Sequence, residues 1–127
     1  MSEYVLDASA LLTVLNEEAG EERVASILGQ AVVSTVNLCE VLGKLMDAGM
    51  ADTDAKASVD LLHVRPVDFN MEMALVAAHL KSRFKRLGLS LGDRCCLALG
   101  IVRKNTVVTA DRAWSKLKLG ITIEVVR

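Results

Sequence analysis

Residues 4–15, YVLDASALLTVL, set the pattern for the whole chain. Tyr4, Val5 and Leu6 form a short apolar run that stops at a lone aspartate, Asp7, and the residues beyond it are helix formers through ASALLTVLNEE. A short strand that passes at once into a helix is the repeating junction of a parallel sheet, whose strands must return through crossovers. The same order recurs where AVVS (31–34) meets TVNLCEVLGKLMDAG, and where TVVTA (106–110) meets DRAWSKL. HVRPV (63–67) and ITIEVV (121–126) read as two further strands. Helices are expected over EERVASIL (21–28), over DTDAKASVDLL (52–62) with Asp52 or Thr53 as cap, from Asn70 to Phe84, and from Leu91 to Arg103. Strands alternating with helices predict an α/β fold, a three-layer sandwich around a mostly parallel central sheet of about five strands.

The totals are consistent with this. A chain of 127 residues is expected to close as one domain, 1–127, burying about two-thirds of its surface without disulfides. A hydrophobic content of 52% with a single proline argues against disorder, and 3% aromatics leaves the core to Leu, Val, Ala, Ile and Met. No apolar run reaches the roughly 18 residues of a membrane span, and the opening MSEYVLDAS lacks the basic and apolar segments of a secretory signal. Three cysteines without framework spacing fit reduced thiols and a cytoplasmic location. Net charge is only −1, yet residues 1–80 hold 13 acids and 4 bases (−9) and residues 81–127 hold 3 acids and 11 bases (+8). One acidic and one basic face, or simply solvated helix surfaces, would each produce that division.

The acids carry the chemistry. Asp7 closes the first strand and Asp111 follows the fourth; Glu40 and Asp93 fall in the first turns of helices. Strand ends and the starts of following helices share one edge of a parallel sheet, where ligands bind. Carboxylates gathered there raise one another's pKa unless a cation neutralises them. Oxygen ligands completed by water suit Mg²⁺ or Mn²⁺, and such an ion can activate water and stabilise charge on a phosphoryl group. The constellation points to metal-dependent phosphodiester hydrolysis. Each acid also has a purely structural reading. Asp7 and Asp111 fit helix N-caps, each worth about 1 kcal/mol. Ser90 and Asp93 in SLGD fit a capping box. Glu40 falls roughly opposite the stripe of Leu38, Leu42 and Leu45, the place of a solvent-facing residue.

VLDASALL at the start, CE at Cys39–Glu40, LSLGD ending at Asp93 and VVTADRAW near the end resemble, in order and separation, the PIN-domain ribonucleases, and most of all the VapC-type toxins of bacterial toxin–antitoxin pairs. The similarity spans essentially the whole chain. It implies that Asp7, Glu40 and Asp93 bind Mg²⁺ or Mn²⁺ with Asp111 completing the quartet, and that Ser9 and Thr109 support the site. It implies an endoribonuclease that cuts RNA by metal-activated water, a cognate antitoxin as protein partner, and a homodimer. Lys81, Arg83, Lys85, Arg86, Arg94 and Arg112 become candidate phosphate contacts. Arg94 stands where the family commonly has alanine, a departure that bears on the shape of the substrate cleft.

Other readings are weaker. A receiver-like signalling module that binds Mg²⁺ would want an acidic pair before its central aspartate, and Asp7 is alone. A haloacid dehalogenase-type phosphatase would want D-x-D, where this chain has Asp7-Ala8-Ser9. A PIN-like binding module without activity, or an RNA-processing nuclease outside any toxin pair, fits the same residues. Cys39 has no neighbouring histidine to act as base. Adjacent on a helix, Cys95 and Cys96 point about 100° apart and read as packing residues. His63 and His79 lack partners at zinc spacing. Met46, Met50, Met71 and Met73 read as core filler, and Trp114 as the anchor of a short helix.

Overall fold

Three strands carry adjacent apolar pairs, Val5–Leu6, Val32–Val33 and Val107–Val108, and all six side chains are fully enclosed. Successive strand residues face opposite sides of a sheet, so such pairs require cover on both faces. The computed structural model, which describes residues 3–127, supplies that cover. Strands β1 (Tyr4–Leu6), β2 (Ala31–Ser34), β3 (Arg65–Val67), β4 (Thr106–Thr109) and β5 (Ile123–Val125) form one parallel sheet in the order β3-β2-β1-β4-β5. Helices α1 (Ala8–Leu15), α2 (Glu21–Ile27), α3 (Thr35–Asp47), α4 (Asp52–Asp60), α5 (Met71–Arg83) and α6 (Leu91–Arg103) flank it, with short 3-10 turns at Leu28–Gln30, Lys85–Leu87 and Arg112–Lys116.

The two apolar layers follow from the alternation. Leu6, Val33 and Val108 pack with Leu11, Val24, Val41 and Val59 from α1 to α4. Val5, Val32 and Val107 pack on the other face with Met73, Ala77 and Leu80 of α5, with Cys96, Leu97 and Leu99 of α6, and with Trp114. The three-layer α/β sandwich with its parallel five-stranded sheet is therefore the fold of this chain. No helix among the described residues is long and apolar enough to cross a membrane.

Two expectations need correction. Neither Asp52 nor Thr53 caps α4: Ala51 is the extended residue before it, without a side-chain cap, and Asp52 and Asp54 instead bring negative charge to the first turn. The methionines also divide. Met73 is buried and Met50 half-buried, but Met46 on α3 and Met71, the first residue of α5, are exposed, Met71 at 74%. Cys95, Cys96 and Trp114 are buried as their packing roles require.

Glycine decides how closely α6 approaches the sheet. A Cβ on Gly100 would overlap Val107 Cγ2 and come within 3.2 Å of Ile121 Cδ1. Gly43 in α3 has open space around its missing Cβ. Both alanine substitutions gain about 1 kcal/mol of helix propensity, but overpacking at 100 costs about 1–3 kcal/mol. Gly43→Ala is expected to raise the urea unfolding midpoint and Gly100→Ala to lower it.

Candidate active site

Asp7 follows β1 in extended conformation and caps α1, its Oδ1 accepting from the Ala10 N–H at 2.8 Å. The cap is only part of its environment. The Thr109 hydroxyl, at the end of β4, donates to Asp7 Oδ2 at 2.6 Å, and the Ser9 hydroxyl lies 2.8 and 2.9 Å from the two carboxylate oxygens. Ser9 Oγ accepts in turn from the Ala110 N–H, and Thr109 Oγ1 from the Asp111 N–H. One carboxylate thus joins β1, α1 and the β4 end. It is only 5% exposed, and burial, resisted by those three donors and reinforced by the nearby charge of Asp93, pushes its pKa up to about 6.

The other acids reach the same place from separate elements. Asp93 lies in the first turn of α6 and completes a capping box: its Oδ2 accepts from the Ser90 N–H at 2.9 Å while Ser90 Oγ accepts from the Asp93 N–H at 3.1 Å. Asp111 caps the 3-10 turn after β4, Oδ1 accepting from the Ala113 N–H at 2.9 Å. Glu40 lies on α3, where its Oε1 accepts from Asn37 Nδ2 at 2.8 Å. Asp7, Glu40, Asp93 and Asp111 all line one cleft of about 420 Å³ at the carboxyl edge of the sheet. Ser9 lines it with them, and Thr109 is buried directly behind Asp7.

Glu40 reaches the cleft because the buried face of α3 is Asn37, Val41 and Leu45. That stripe lies between Leu38 and Glu40 on the helix, so Glu40 borders the interior and does not oppose it. Asn37, Lys44, Glu18 and Arg127 also line the cleft, and none was expected from the sequence. For Lys44, one turn beyond Glu40, helical spacing held the signal. The basic residues proposed for RNA lie elsewhere. Arg94 Nη1 donates to the Ala77 carbonyl at 3.3 Å, which ties α6 to α5. Arg83 donates to the Lys118 carbonyl and lies over the Phe84 ring. Arg112 Nε donates to the Arg127 carbonyl, and Lys81, Lys85 and Arg86 are exposed outside the cleft lining. Burial pushes the Cys95 and Cys96 thiols up, for Cys96 with help from Asp7, Asp93 and Glu40, so both stay protonated and unreactive.

A divalent cation suits this donor set. Asp93 Oδ1, Asp111 Oδ2 and Glu40 Oε2 have no donor among the described side chains and backbone groups, and Asp7 is buried against like charge. Among the described residues, no three acidic, histidine or cysteine side chains converge tightly enough to grip one ion directly. The set fits a hard cation held by one or two carboxylates with water completing its shell.

Comparison with known proteins agrees with this geometry. The family model described as PIN domain matches residues 4–119. No curated protein matches the sequence significantly. Among solved structures, the fold is similar to DNA-bound VapBC from Salmonella typhimurium (TM-score 0.77, 20% identity, 100% of each chain). It is similar also to VapBC2 from Rickettsia felis bound to a promoter DNA fragment (TM-score 0.73, 16% identity, 95% of this chain and 96% of that one). VapBC-5, a toxin–antitoxin system from Mycobacterium tuberculosis, matches at TM-score 0.64 and 22% identity over 100% of this chain and 99% of that one.

The raised pKa of Asp7 has a consequence for stability. Between its ordinary value of 3.8 and about 6 the folded chain holds more protons than the unfolded one. Stability without added cation therefore falls as pH rises through that window, by on the order of 3 kcal/mol in all, and levels off above it. Asp7→Asn removes the ionisation and is expected to unfold at higher urea than wild type at pH 7.5 in EDTA, the advantage vanishing near pH 4. Equal midpoints at pH 7.5 would show that Asp7 ionises there without cost.

Proposed function

The chain belongs to the PIN-domain family, and from that premise we propose that it is a Mg²⁺- or Mn²⁺-dependent endoribonuclease, the toxin of a type II toxin–antitoxin pair. The observation that carries the reading is Asp7, a carboxylate enclosed by protein, crowded by Asp93, and facing a cleft lined by three further acids, Glu18, Glu40 and Asp111. Capping accounts for Asp7, Asp93 and Asp111 with one oxygen each, and leaves Glu40 and the second oxygens of Asp93 and Asp111 without a structural role. Their common requirement is a cation. When bound, the ion supplies neutralising charge at the scissile phosphate and a lowered pKa for attacking water.

The protein's own part is positioning. Ser9, Thr109 and the Ala10 N–H fix both oxygens of Asp7, and the capping box fixes Asp93. Asn37 fixes Glu40. Asp111, exposed like Glu40, is placed by its own turn. Lys44 and Arg127, as the basic members of the lining, are the nearest candidates to hold flanking phosphates, with Arg112 beside Arg127. Lys81, Lys85 and Arg86 would extend that contact outside the cleft. An antitoxin that reaches such a cleft would need a basic group to meet its acids, and the similarity to toxin–antitoxin assemblies supports a partner of that kind. Homodimerisation and a cytoplasmic location belong to the same proposal. A receiver-like module is disfavoured because the site lacks a second acid adjacent to Asp7.

The purified chain, freed of any antitoxin, is expected to cleave RNA with Mg²⁺ or Mn²⁺ and to stop in EDTA. Asp7→Asn and Asp93→Asn should each reduce cleavage to background, and Asp111→Asn, whose charge does not bear on Asp7 as that of Asp93 does, should lose less. Absence of cleavage with either metal, or full activity in both of the first two variants, would overturn the catalytic reading.

A further inference from the structure

Asn37 is the one amide on the buried stripe of α3, and it is 1% exposed. Its Nδ2 donates twice, to Glu40 Oε1 at 2.8 Å and to the Gly92 carbonyl at 3.1 Å. Two acceptors on one side fix the amide's orientation and send its oxygen the other way. That oxygen, Oδ1, is buried and has no hydrogen-bond partner among the described residues, while the side chain lines the acidic cleft. A buried acceptor without a donor is costly, and native proteins rarely keep one without a use. Gly92 completes the arrangement. A Cβ there would overlap the Glu40 carboxylate, so only glycine lets Glu40 rest against the first turn of α6, one residue from Asp93.

We propose that Asn37 belongs to the metal site: Oδ1 accepts a hydrogen bond from a water carried by the divalent ion, while Nδ2 and the bare Gly92 hold Glu40 beside Asp93. This rests on the metal-dependent reading and adds a residue to it. The polarity of the missing partner narrows it to a donor. Phosphate oxygens are acceptors and cannot satisfy Oδ1, whereas a hydrated cation presents only hydrogens outward. A neutral amide also supplies its acceptor without adding a further negative charge to an acidic cluster, which a carboxylate in its place would do.

The test is Mn²⁺ titration by calorimetry, without RNA, on wild type, Asn37→Ala, Glu40→Gln and the double variant. Asn37→Ala is expected to weaken Mn²⁺ binding about tenfold or more, and to weaken the Glu40→Gln protein several-fold further. Wild-type affinity in Asn37→Ala overturns the proposal. So does a double variant equal to Glu40→Gln, which would reduce Asn37 to a prop for Glu40. A loss visible only with RNA present would give Oδ1 a ribose hydroxyl as partner and overturn it as well. If Asn37→Ala does not fold in EDTA, judged by urea unfolding, Asn37→Ser takes its place, its side chain being too short to span from Glu40 to Gly92. Wild type that neither binds Mn²⁺ nor cuts RNA refutes the nuclease reading itself; Mn²⁺ binding that survives loss of Asn37 refutes only this inference.

Discussion

Burying the Asp7 carboxylate at the carboxyl edge of the central strand is the constraint around which the rest is arranged. An ionised acid removed from water has to find donors, a counter-charge or a proton. Thr109, Ser9 and the Ala10 N–H supply the donors, drawn from β4 and from the first turn of α1. They hold the group in one orientation, yet they do not offset its burial, since its pKa still rises to about 6. On the proposed function, a site of this kind is preorganised for a cation. The cost of burying the Asp7 charge is the usual exchange of stability for function at a polar site.

The structural and chemical readings of these acids turn out to be compatible. Asp7, Asp93 and Asp111 each cap a helix or 3-10 turn, using a carboxylate oxygen on a backbone N–H. In a parallel sheet with helices on both faces, the turns that leave strands gather on one edge, so their caps gather too. A capping aspartate has a second oxygen, and its position is fixed by the first. Capping thus orients ligands at no additional conformational cost, which is why the fold can concentrate carboxylates without long flexible side chains. Glu40 is the exception, with a longer side chain and no cap, and it is the acid that requires outside support from Asn37 and Gly92.

What was legible in the sequence follows from this division. Strand–acid–helix junctions are local, so β1, β2 and β4, their helices, and the placing of Asp7 and Asp111 could be read directly. The Ser90–Asp93 box was equally local. Glu40 is exposed, as its spacing suggested, yet it also borders the cleft, because the buried stripe of α3 includes a polar residue, Asn37, where a search for apolar spacing settles on Leu38, Leu42 and Leu45. The basic residues of the cleft were missed for a different reason. The run from Lys81 to Arg86 is dense in sequence, but density along a helix end does not bring side chains to a distant edge. Lys44 and Arg127, separated by most of the chain, meet at the cleft through the sheet order alone.

Electrostatics at the cleft links the two ligands of the proposed reaction. Its lining has five carboxylates, those of Asp7, Glu18, Glu40, Asp93 and Asp111, against the two bases Lys44 and Arg127. Arg127 is partly neutralised by its 3.2 Å pair with Glu18. A phosphodiester approaching this surface meets net negative charge, and the basic excess of residues 81–127 lies largely outside the lining. A divalent ion reverses that balance locally, where the dielectric is lowest and charge counts most. Cation and polyanion then favour each other's binding, and because such coupling is reciprocal, bound RNA would raise affinity for the ion by the same factor. On the proposed reaction the acidic edge would therefore be a selective one, repelling nucleic acid until the metal is in place.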